Sequence, residues 1–75
     1  MTIETWLQAA VTTLQNAGIS TARLDTLVLL ADEIGQDKSW ILAHPEYILQ
    51  IEKRKKLSTK ITQRAKHIPL AYIRG

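Results

Sequence analysis

Apolar side chains recur along this chain with the spacing of one helix face after another. Ile3, Trp6, Leu7, Ala10, Val11, Leu14 and Ala17 fall at steps of three and four, which draws one apolar stripe down a helix. Thr2 is suited to cap its first turn and Gly18 to end it. A second helix is predicted from Ser20 or Thr21 to Gly35. Its apolar residues Leu24, Leu27, Val28, Leu29, Leu30, Ala31 and Ile34 cover more than one face, so it belongs in the middle of a bundle. Asp37 is a good cap for a third piece of about two turns through Trp40, Ile41 and Leu42, which His44-Pro45 ends.

The longest helix is predicted from Pro45 or Glu46 to about Lys66, with Tyr47, Ile51, Ser58, Ile61 and Ala65 near one face and Leu57 at its margin. Pro69 sets a further break. The final LAYIRG is either one closing turn packed on the bundle or the first part of an onward connection. No stretch alternates as a half-buried strand does. The expected fold is all-α, a small bundle of four helices plus a short C-terminal fifth helix or turn, forming a single domain over residues 1–75.

Length and composition narrow the function. Seventy-five residues leave room for one thin core and little for an enclosed active site, so a self-sufficient enzyme is not expected. Without cysteine there is neither a disulfide framework nor a thiolate metal site, which suits a cytoplasmic protein. The opening MTIETWLQ lacks a signal pattern and the longest apolar run, Leu27 to Ala31, is far too short to span a bilayer. The expectation is therefore no membrane partner. Charge is segregated: two bases face six acids from Met1 to Ile51, net −4, and eight bases face one acid from Glu52 to Gly75, net +7. The basic third is expected to meet something anionic, or to join a larger body.

Few residues qualify for catalysis. His44 and His67 stand 23 positions apart without a third ligand at a metal spacing, and a capping hydrogen bond or partial burial is the favoured role for His44. Asp32 and Glu33 are turned about 100° apart by a helix and read as a solvated edge. Ser20, Ser39 and Ser58 lack a glycine-flanked elbow, and Gly18, Gly35 and Gly75 are too dispersed to cradle a phosphate. No catalytic, cofactor-binding or metal-binding residue is assigned. Arg23 and Asp25, two positions apart, point away from each other and seek partners elsewhere.

One feature is organised. Lys53, Lys56, Lys60, Arg64 and His67 follow at steps of three and four, a cationic ridge opposite or beside the apolar face. Lys53, Lys56, Lys60 and Arg64 are the candidate partner-binding residues, against the plainer and favoured reading of a solvated helix face. With no Phe, and Trp6 and Trp40 in apolar patterns that suit a core, stacking on nucleic-acid bases is poorly supported.

The runs TARLDTLVLLADEIG (Thr21 to Gly35), WILAHPE (Trp40 to Glu46) and QRAKHIPLAYIRG (Gln63 to Gly75) resemble, in this order, the amino-terminal domain of the HemK/PrmC methyltransferases. That family places a small helical bundle before a Rossmann-like domain that binds S-adenosylmethionine. It methylates the side-chain amide nitrogen of the glutamine in the GGQ motif of bacterial peptide chain release factors. The resemblance implies a substrate-recognition domain whose partners are the release factor and a C-terminal methyltransferase domain outside this chain. The cofactor S-adenosylmethionine belongs to the parent enzyme, with none in this domain. The family's Asn-Pro-Pro-Tyr motif has no counterpart, since Asn16 is the only asparagine and no prolines are adjacent. Where the family commonly has glycine shortly before the proline of PLAYIRG, this chain has Lys66-His67-Ile68, and His67 must take a positive φ at some cost or end the helix differently. Two alternatives stay open: a stand-alone basic module binding nucleic acid through the ridge, which the missing aromatics disfavour, and an adaptor packing Leu70, Tyr72 and Ile73 on a partner. Nothing suggests an oligomer, and a monomer is expected.

Overall fold

The computed structural model describes residues 1–74; Gly75, the last residue of the LAYIRG segment, lies outside them. Five helices follow in order: α1 (Ile3–Asn16), α2 (Ala22–Ile34), α3 (Lys38–Ala43), α4 (Ile51–Ala65) and α5 (Leu70–Arg74). Helix α2 packs against each of the other four, as a helix apolar around most of its circumference must. Leu29, Leu30 and Thr26 on α2 are fully buried with Ile3 and Leu14 of α1, Ile41 of α3 and Leu57 of α4. The Thr26 hydroxyl is satisfied inside this core, donating to the Ala22 carbonyl at 2.8 Å.

The helix ends follow from a few residues. Thr2 caps α1, its hydroxyl oxygen accepting from the Thr5 N–H at 3.2 Å, and Asp37 caps α3 by accepting from the Trp40 N–H at 2.8 Å. Helices α1, α2 and α4 all end in a left-handed residue, at Gly18, Gly35 and His67 with φ of 81°, 78° and 65°. In each, the N–H of the residue after it reaches back five positions, from Ile19 to Leu14, Gln36 to Ala31 and Ile68 to Gln63. This is the Schellman arrangement, which glycine adopts freely and histidine does not.

The start of α4 departs from the sequence reading. Residues 46–50 precede the helix, and Thr2 and Ile48 form an isolated antiparallel bridge. The Pro45 and Tyr47 carbonyls accept from the N–H groups of Glu4 (3.0 Å) and Ile3 (2.8 Å), and Leu49 N–H donates to the Met1 carbonyl at 2.9 Å. These residues supply acceptors for the first turn of α1, which has none of its own; a helix from Pro45 would have withheld them. The buried face of α4 is correspondingly rotated. Leu57, expected at the margin, is fully buried at its centre with Ile61, whereas Ile51 is 53% exposed and Tyr47 lies outside the helix.

Candidate recognition surface

The ridge on α4 lies beside the apolar face, along the margin that meets α2. Lys53 Nζ donates to the Glu33 carbonyl at 3.0 Å and Lys60 Nζ lies 3.7 Å from the Glu33 carboxylate. The last turn of α2 has no base of its own, so these two lysines supply the positive charge its C-terminus favours. Arg64 is tied more tightly. Its Nε donates to Asp25 Oδ2 at 2.8 Å and its Nη1 to the Ile68 carbonyl at 3.0 Å. Asp25 is buried at 5% exposure and also accepts from the Thr21 hydroxyl at 2.9 Å. His67 Nε2 donates to the Ala17 carbonyl at 2.8 Å, tying the end of α4 to the end of α1.

Of the four ridge residues, Lys53, Lys60 and Arg64 thus hold internal partners, and Lys56 is exposed. Lys56 and Lys60 line an open groove between α4 and α5 of about 490 Å³, with Glu33, Gln63 and Ile73. The acids Asp32 and Glu33 are not the plain solvated edge that the sequence suggested. Glu33 is half-buried under Lys60, and Asp32 accepts from Arg74 Nε at 2.7 Å and Nη2 at 3.1 Å. The hydrogen bond and charge of Asp32 raise the Arg74 guanidinium above its ordinary pKa. Asp25 found its partner 39 residues away in Arg64, a pairing that no local spacing announces.

His44 is half-buried, and its Nδ1 donates to the Trp40 carbonyl at 2.8 Å, a capping role. Trp40 is only partly buried: its ring stacks on His44 at 4.1 Å and meets Tyr47 edge-on at 5.2 Å. On α5, Ile73 and Leu70 pack into this domain's own core, leaving Tyr72 exposed at 79%. The adaptor reading, which needs all three for a partner, loses two of them. Among the described residues no three His, Asp or Glu side chains gather as a metal site. Gly18 and Gly35 end helices, and neither forms a cradle for a nucleotide-like cofactor. No described helix is long and apolar enough to cross a membrane.

The family profile described as PrmC N-terminal domain matches residues 5–75. The chain belongs to this family. It is 35% identical over 75 residues to a release factor glutamine methyltransferase of Vibrio cholerae serotype O1, a match covering all of this chain and 26% of that protein. It is 32% identical over 73 residues to a bifunctional methyltransferase of Rickettsia bellii, covering 97% of this chain and 13% of that protein. The chain therefore spans about a quarter or less of the length of these relatives. No solved structure matches it. The PrmC N-terminal domain thus has in this chain an all-α form, centred on α2.

Proposed function

We propose that this domain recognises a peptide chain release factor on behalf of a methyltransferase that follows it and carries no catalytic group itself. The observation that carries this reading is the family match across residues 5–75, joined to 35% identity over the full chain with a release factor glutamine methyltransferase. In the parent enzyme, S-adenosylmethionine would supply the methyl group and the GGQ glutamine amide nitrogen of the release factor would accept it, in the cytoplasm. Gly18 and Gly35 end helices and form no cradle for that cofactor, which in this reading belongs to the catalytic part. What this domain contributes is binding energy remote from the reacting atoms, used to hold the glutamine in line with the methyl donor.

The fold supports such a role in two ways. The α4–α5 connection is held by Arg64 on the Ile68 carbonyl, and α5 is tied to α2 by Arg74 on Asp32, so charged hydrogen bonds hold the C-terminal turn against the bundle. On the ridge, Lys56 is free to meet a partner while Lys53, Lys60 and Arg64 hold the scaffold. Calorimetric titration of the 75-residue chain with a bacterial release factor tests the reading: saturable binding is expected, and no heat of binding at tens of micromolar protein rejects it.

A further inference from the structure

The large apolar side chains that stay exposed are Met1, Leu24, Leu42, Tyr47, Ile48, Ile51 and Tyr72. Two of them, Ile48 and Ile51, stand three positions apart at the corner where the chain enters α4. Thr2 pairs with Ile48, and the flanking pairs Met1–Leu49 and Ile3–Tyr47 turn to the other side, where Leu49 and Ile3 are buried. Exposed apolar residues scattered singly are ordinary, whereas a gathered group marks a contact surface. Ile48 and Ile51 are 60% and 53% exposed.

The same corner is cationic at an unfavourable place. Lys53, Arg54, Lys55 and Lys56 fall in the first two turns of α4, at the helix end that already carries partial positive charge. Among the described residues, none of the four forms an ion pair, and Lys53 is used only by a backbone carbonyl. Arg54 and Lys55 stand three and four positions after Ile51, hence on its side of the helix. Arg54 Nε is buried with no hydrogen-bond acceptor, which leaves Lys55 as the exposed cation on that side. Gln50 gives α4 no side-chain cap, so N–H groups of the first turn face the same corner unsatisfied by it. Glu4, Glu46 and Glu52 are the acids nearby, and all three are exposed without an ion pair among the described residues.

We propose that Ile48 and Ile51, with Lys55, form the docking surface for an acidic segment of the protein substrate that also carries apolar side chains. The inference rests on the release-factor reading above and names the face that serves it. A carboxylate on the partner accepts from Lys55 and faces the α4 N-terminus, while its apolar neighbours cover Ile48 and Ile51. A phosphate backbone would satisfy the cations but leave the aliphatic side chains uncovered, and unpaired bases stack on aromatic rings rather than on isoleucine.

The test compares three forms of the chain in titrations with a bacterial release factor: wild type, Ile51→Ser/Lys55→Glu, and the control Lys66→Glu. Lys66 lies near the same side of α4, some ~16 Å along the axis from Lys55, and makes the same charge change. All substituted positions are exposed, and circular dichroism checks that helicity is kept. The expected result is a loss of ~10-fold or more in affinity for the double variant, with the control within ~2-fold of wild type, as a distant rim charge allows. Wild-type binding that the double variant retains overturns this surface and leaves the recognition reading standing. Absence of binding by the wild type overturns both. Parallel titrations with duplex RNA and with phosphatidylserine vesicles complete the test: a double variant that loses either of these while keeping release-factor affinity assigns the corner to another class of partner and overturns the proposal.

Discussion

Arg64→Met removes the guanidinium that serves Asp25 and the Ile68 carbonyl and keeps a side chain of similar reach. Asp25 would then be a carboxylate at 5% exposure with only the Thr21 hydroxyl as donor. Breaking a buried ion pair from one side typically costs ~3–5 kcal/mol. The Arg64 side chain is 18% exposed, so water reaches the pair from one edge and the lower figure, ~3 kcal/mol, applies. For a domain of this size ~1 kcal/mol corresponds to ~4–8 °C, so the melting temperature should fall by ~12–24 °C. Adding Asp25→Asn should recover part of that loss, because the amide keeps an acceptor for Thr21 without an unpaired charge. Thermal unfolding followed by circular dichroism measures all four corners of the cycle. An Arg64→Met variant melting within 2–3 °C of wild type, a shift of only ~0.5 kcal/mol, would refute the claim that this pair organises the α2–α4 contact.

Other substitutions separate the remaining parts of the account. His67→Ala keeps the left-handed strain and loses the bond to the Ala17 carbonyl, whereas His67→Gly loses the bond but releases ~1–2 kcal/mol of strain, so Gly should unfold at higher denaturant than Ala; equal midpoints would show that φ at this position carries no cost. Leu57→Ala should cost ~2–5 kcal/mol and Ile51→Ala under ~0.5 kcal/mol in urea unfolding, and the reverse order would return the buried face of α4 to its sequence-predicted register. Asp37→Ala should lose ~0.5–2 kcal/mol through the α3 cap, read as the midpoint shift in the same experiment. Lys56→Glu should leave stability unchanged, but Lys60→Glu should lower it by placing a carboxylate against Glu33; matching melting curves for the two would contradict the ridge geometry.

Much of this fold is legible in the sequence because it rests on local rules. The stripe from Ile3 to Ala17, the caps at Thr2 and Asp37, and the glycines at positions 18 and 35 each act within a turn of the residue that reveals them. The errors arise where distant segments meet. The α4 start could not be read locally, because its delay depends on residues 45–49 serving the first turn of α1 more than forty positions away. The cationic ridge was legible as a spacing, but its neutralisation was not: Asp25 and Glu33 belong to α2, and only packing sets them against Arg64 and Lys60. At His67 the sequence left two ends to α4 open, a positive φ at some cost or a different termination, and the structure has the positive φ.

Residues 1–75 are proposed to supply substrate recognition to a methyltransferase. The decisive assay is steady-state methyl transfer to an intact release factor, measured for the longer enzyme with and without these residues. Their removal should lower kcat/KM for the release factor while leaving the affinity for the methyl donor unchanged. Equal kcat/KM for the two forms would contradict it.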